Sequence, residues 1–127
     1  MERVTGIGGI FFKAKDPAAL RRWYEEHLGV KLEKWGFSKF SWGGDGSEKG
    51  VTVWTVFEES SQHFEPTNAP YMINYRVRDL AAMREQLKAA GVWVDEKMDE
   101  GPHGKFGWAR DCEGNRFELW QPPDDAG

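Results

Sequence analysis

Residues 7–32 read IGGIFFKAKDPAALRRWYEEHLGVKL, and residues 70–94 read PYMINYRVRDLAAMREQLKAAGVWV. The two stretches are copies of one pattern. Asp16 matches Asp79, Ala18-Ala19 matches Ala81-Ala82, and Gly29-Val30 matches Gly91-Val92 with one residue fewer in the second copy. Each copy opens on alternating apolar residues, the period of a strand with one buried face. It then meets an aspartate able to accept the free N–H groups of a helix start, with Pro17 at the first helical turn of copy one. Leu20, Trp23, Tyr24 and Leu28 in the first copy, and Leu80, Met83, Leu87 and Ala90 in the second, recur at helical spacing and predict one buried stripe on each helix. Gly29 and Gly91 end the helices, since glycine takes the left-handed conformation without a steric cost.

Short β-prone runs follow each helix: residues 30–35, 37–42 and 51–57 in the first copy, and 92–95, 105–110 and 116–121 in the second. The pattern is therefore βαβββ twice, an α+β fold of one domain, with modules at about 6–58 and 70–122. Residues 59–69 read as the linker and 123–127 as a frayed tail. Residues 43–47 read as a hairpin loop, and 111–115 as a turn in which Gly114 takes positive φ.

One helix covers only one face of a sheet, so the other face is where a ligand or a second copy is met. Strand alternation places Gly9, Phe11 and Lys13 on that open face in the first copy, and Met72, Asn74 and Arg76 in the second. The last strand sends Phe117 and Leu119 to the core and Arg116, Glu118 and Trp120 outward. Phe106, Trp108 and Arg110 are placed outward on the strand before it. Trp54 is added to the aromatic residues of this face, while Trp23 and Trp93 are assigned to core or interface packing.

The 127 residues carry 17 basic and 21 acidic side chains, a net charge of −4. No basic field is available to neutralise phosphates or hold an anionic membrane, so nucleic acid and membrane are excluded as expected partners. No apolar run approaches the ~20 residues of a membrane span, and no signal-peptide pattern appears. With a single cysteine, Cys112, no intrachain disulfide forms; a cytoplasmic protein is expected, with Cys112 a half-buried filler. The seven tryptophans supply much of the core's apolar area. The sequence Gly6-x-Gly8-Gly9 leads into a strand and not a helix, so it is not read as a phosphate loop.

Two stretches carry a family resemblance. Lys15-Asp16-Pro17 through Trp23-Tyr24 to Leu28-Gly29-Val30 resembles the helix start and Leu-Gly ending of the vicinal oxygen chelate superfamily, the glyoxalase, bleomycin-resistance and extradiol dioxygenase group. The stretch from Asp111 through Gly114-Asn115 to Glu118-Leu119-Trp120 is similar to its Asp-Pro-x-Gly-Asn turn and Glu-Leu ending, with Cys112 in place of proline. The resemblance implies a curled mixed sheet, a half-barrel with the helices outside, enclosing a cavity within one chain or across a homodimer.

It also implies, in the enzymes, a divalent metal held by His and Glu. Glu118 stands at the last-strand ligand position, but the histidine positions are Gly9 and Met72, and residues 51–55 hold no carboxylate or imidazole. One carboxylate does not hold zinc, nickel or iron, which need three or four N or O donors. No cofactor is therefore expected. His27, His63 and His103 are read as solvated surface groups, with His103 the one nearest the expected cavity.

The reading that follows is a metal-independent small-molecule-binding protein with a planar or amphipathic ligand. Phe11, Trp54, Met72, Phe106, Trp108 and Trp120 line its cavity, and Asn74, Arg76 and Arg116 supply polar contacts. The acidic balance favours a cationic ligand. The alternative is a lyase, isomerase or dioxygenase of the glyoxalase type, with Glu118 as catalytic base or as part of an atypical metal site with His103 or a partner residue. Pairing of Glu118 with Arg76 or Arg116 is the structural alternative.

Overall fold

A computed structural model describes residues 1–31, 37–42, 50–64 and 69–123. The element order is β1 (Val4–Ala14), α1 (Pro17–Leu28), β2 (Ser38–Ser41), β3 (Val51–Glu58), β4 (Tyr71–Val77), α2 (Leu80–Ala89), β5 (Val94–Gly101), β6 (Gly104–Arg110) and β7 (Arg116–Gln121). The second module is βαβββ as read from the sequence. In the first, the run at 30–35 lies mostly outside the described residues, as do the loop at 43–47, residues 65–68 of the linker and most of the tail.

All seven strands form one mixed sheet, ordered β2-β3-β1-β4-β7-β6-β5. The first strands of the two modules, β1 and β4, pair antiparallel at its centre, and each lies parallel to the last strand of its own module, β3 or β7. The repeat in sequence is thus a repeat in topology. Phe57 of β3 and Phe106 of β6 line one cavity although three strands separate theirs in the sheet, so the sheet curls.

Both helix starts are capped as the aspartates predict. Asp16 accepts from the Ala19 N–H at 3.1 Å and Asp79 from the Ala82 N–H at 3.0 Å. Gly29 and Gly91 close the helices at φ 69° and 79°. The predicted stripes bury unequally. Leu80 and Met83 join Val77 and Leu119 in a buried cluster beneath α2, but α1 has no buried residue among those described, and Trp23 and Leu28 are exposed. Trp23 lies against Tyr24 and His27 of its own helix, so the expected burial fails there. Trp93 is also exposed, its ring covered by Arg110 at 4.0 Å.

The turn at 111–115 forms as read. Asp111 takes hydrogen bonds from the Asn115 side chain, the Asn115 N–H and the Glu113 N–H, which together hold its carboxyl below the ordinary value. Cys112 at its tip is exposed rather than half-buried. Among the described residues no helix is long and apolar enough to cross a membrane.

Candidate functional site

The concave face of the sheet encloses a cavity of about 810 Å³. Both modules build it: Phe11, Val53, Thr55 and Phe57 come from the first, and Asn74, Phe106, Trp108, Glu118 and Trp120 from the second. Antiparallel pairing of β1 with β4 brings these sets together, so the cavity is formed by one chain.

Glu118 is 2% exposed and forms the polar floor. In the register of the sheet it faces Asn74 on β4 and Trp108 on β6. Asn74 Nδ2 donates to Oε1 at 2.5 Å and Trp108 Nε1 donates to Oε2 at 2.9 Å. His63 Nε2 lies 3.2 Å from the same Oε2. A buried carboxylate is tolerable only with such donors, because water no longer solvates it.

The carboxylate also fixes the Asn74 amide, since only the NH₂ group can face it. The carboxamide oxygen is turned away and, buried, has no hydrogen-bond partner. Orphaning an acceptor in this way costs about 1–3 kcal/mol. The oxygen sits over Gly8, where an added Cβ would lie 2.2 Å from it and 2.8 Å from the Trp120 ring. Glycine at this point of β1 leaves the space that the amide and the indole occupy.

His63 corrects the sequence reading most. It is only partly exposed, with 33% of its side chain accessible, and stacks on Phe57 with ring centroids 5.0 Å apart and planes 7° apart. Phe64 beside it is fully buried against Phe11, Met72 and Trp108. The linker is therefore packed at His63-Phe64, and Phe64 is the anchor that holds the imidazole over the floor. The adjacent His63-Phe64 pair, following the alternating strand that ends in Phe57, was the available signal. No periodicity reports a contact between residues so far apart in sequence.

Six predicted residues line the cavity: Phe11, Asn74, Phe106, Trp108, Glu118 and Trp120. Four do not. Trp54 faces the other side, where its ring meets Phe12 at 5.2 Å and Tyr24 of α1 at 5.0 Å. Alternation along β3 gives Val53 and Thr55 to the cavity and hence Trp54 to the helix. Met72 is buried beneath the floor with Phe11 and Phe64. Arg76 lies over the Trp42 ring at 5.4 Å, and Arg116 is buried over Trp108 and paired with Asp95 at 3.1 Å. Neither arginine pairs with Glu118.

Burial alone would raise the Asp95 carboxyl, but hydrogen bonds from the Lys97 N–H and Arg116, with the charge of both residues, outweigh it and hold it below 3.8. His103 does reach the cavity lining, at the β5–β6 turn, where its carbonyl accepts from Trp120 Nε1 at 2.8 Å.

The metal that the superfamily resemblance implies does not fit this donor set. Among the described residues no three of His, Cys, Asp or Glu converge, and the Glu118 oxygens already face three donors. At the two histidine positions, a Cβ on Gly9 would meet the Phe11 ring at 2.7 Å, and Met72 is buried.

The sequence profile of the glyoxalase-like domain matches residues 9–120. The chain belongs to the glyoxalase-like family. Its curled sheet and paired modules place this glyoxalase-like domain in the vicinal oxygen chelate superfamily, with several solved structures sharing the fold. A methylmalonyl-CoA epimerase from Mycobacterium tuberculosis is 22% identical, with a TM-score of 0.64 over 96% of this chain and 91% of that one. A Streptomyces coelicolor methylmalonyl-CoA epimerase variant bound to 2-nitronate-propionyl-CoA is 17% identical, with a TM-score of 0.71 over 96% and 97%. An NAD-dependent benzaldehyde dehydrogenase structure from Legionella pneumophila is 12% identical, with a TM-score of 0.61 over 91% and 98%. No curated protein matches the chain. At these identities the solved structures share the fold alone.

Proposed function

We propose that this glyoxalase-like protein binds a planar or amphipathic small molecule in its cavity without a metal ion. The observation that carries the reading is the cavity itself: about 810 Å³ walled by aromatic rings from both modules, with a few polar groups gathered at one place on its floor. Binding sites for small molecules have this composition, an apolar enclosure that supplies affinity and sparse polar groups that set orientation. A metal-free reading is supported by the donor set, since among the described residues no three metal-ligating side chains gather at the floor.

Protein dialysed against a chelator should bind 2-naphthylmethanol saturably, with quenching of tryptophan fluorescence from Trp108 and Trp120. Thr55→Phe, which fills the cavity from β3, should weaken that binding at least about tenfold. Absence of saturable binding for neutral, cationic and anionic naphthalenes alike, or binding only after a divalent metal is restored, would overturn the reading.

A second reading is proton transfer at a carbon acid, favoured by His63 Nε2 lying 3.2 Å from Glu118 Oε2. A carboxylate beside an imidazole that opens to the cavity can take a proton from a bound molecule and pass it outward. Incorporation of solvent deuterium into a bound carbon acid, lost in Glu118→Gln, is the result that reading requires.

A further inference from the structure

The acceptors at the floor of the cavity have lone-pair capacity that the donors there do not fill. Glu118 Oε1 accepts a single bond, from Asn74, and the Asn74 carboxamide oxygen, on a side chain 2% exposed, accepts none. Both acceptors have capacity left over, the carboxylate oxygen facing the Asn74 NH₂ group and the carboxamide oxygen turned toward Gly8 and Trp120. No arginine of the neighbouring strands neutralises the carboxylate, whose ion-pair partner is the His63 imidazole at 3.2 Å. On its own strand Arg116 is committed to Asp95, on β6 Arg110 lies over Trp93, and on β4 Arg76 lies over Trp42. The remaining charged groups of the described lining lean the same way. Asp99 and Glu100 add two carboxylates at the β5 rim, against Lys39 and the imidazoles of His63 and His103. The Phe106 and Trp120 rings, on β6 and on the strand of Glu118 itself, stand stacked at 6.4 Å beside this floor, and such faces attract a cation through their quadrupole.

We infer that the molecule bound in this cavity carries a protonated amine beside its apolar ring system, the ammonium seated against the Glu118 carboxylate next to Asn74. This rests on the binding reading above and deepens it. An ammonium offers three donors and no acceptor, which is what the floor lacks, and it adds a positive charge to a carboxylate that no arginine of β4, β6 or β7 pairs with. A carboxylate or phosphate ligand would instead meet a buried like charge and an orphan acceptor.

The test compares three compounds with one ring system, 2-naphthylmethylammonium, 2-naphthylmethanol and 2-naphthoate, titrated at neutral pH and followed by tryptophan fluorescence. The ammonium should bind at least about tenfold more tightly than the alcohol, and the naphthoate least tightly. In Glu118→Gln the advantage of the ammonium over the alcohol should fall to within about twofold. Alcohol or naphthoate binding as tightly as the ammonium, or an advantage that survives in Glu118→Gln, overturns the inference and leaves the binding reading standing. Failure of all three compounds to bind overturns both. Where the variant does not fold, the ranking on the parent protein alone decides.

Discussion

Helix α2 drives Leu80 and Met83 into a buried cluster, whereas α1, built from the same pattern, buries none of its described residues. The two modules differ at the cavity in the same sense. The first supplies a wall of Phe11, Val53, Thr55 and Phe57, while the second supplies the floor of Asn74, Trp108 and Glu118. A duplicated unit has thus divided its labour: one copy carries the tighter core and the polar chemistry, the other an apolar lining. The linker joins them, with Phe64 packed into the first module's Phe11 and the second's Met72 and Trp108.

That contrast can be broken at three places, beginning with the largest effect. Phe64→Ala should destabilise the protein by about 3–5 kcal/mol in a denaturant titration, because it empties a fully buried aromatic site. A surface linker would lose almost nothing on the same change. The second test sharpens the comparison of the helices, since Met83 and Leu20 occupy matching positions in the repeat. Met83→Ala should cost about 2–5 kcal/mol and Leu20→Ala about 1 kcal/mol, the difference being the burial that α1 lacks. Equal losses would mean that α1 is as firmly seated as α2.

The smallest effect concerns the second module alone. The Asp95 carboxyl is held below 3.8 in the folded protein, so its contribution to stability is present above that pH and is lost as pH falls through the folded value. Asp95→Asn should therefore flatten the acid limb of the stability profile below about pH 4, with little change in its slope at neutral pH. A variant as acid-sensitive as the parent would show that the contact with Arg116 stabilises nothing.

The repeat made the topology legible, because strand, capped helix and glycine stop occur twice in the same order. The last strand was legible residue by residue: Arg116, Glu118 and Trp120 alternate with Phe117 and Leu119, so the parity of the pleat is unambiguous. Trp54 was misplaced because residues 51–57 are rich in apolar side chains at both parities, and such a run does not announce which face is which. Strand β5 extends to Gly101, well past the predicted 92–95. Its acidic run has poor intrinsic strand preference, and pairing with β6 imposes the conformation. Met72, Arg76 and Arg116 were placed on the correct face, yet alternation cannot tell a lining residue from one covered by Phe64, Trp42 or Asp95. His63 lay beyond any periodic signal, since a packed linker turn puts it over Glu118.

Glu118 sits on the last strand, the wall opposite on the first, and the imidazole on the segment between them. The hollow therefore exists only after nearly the whole polypeptide has been synthesised and both halves have docked. Occupancy and complete folding are then one thermodynamic quantity, and whatever fills the space raises the melting temperature with its concentration. A thermal-shift screen thus tests the whole molecule for the proposed guest, and a chain severed between residues 58 and 70 should lose that response.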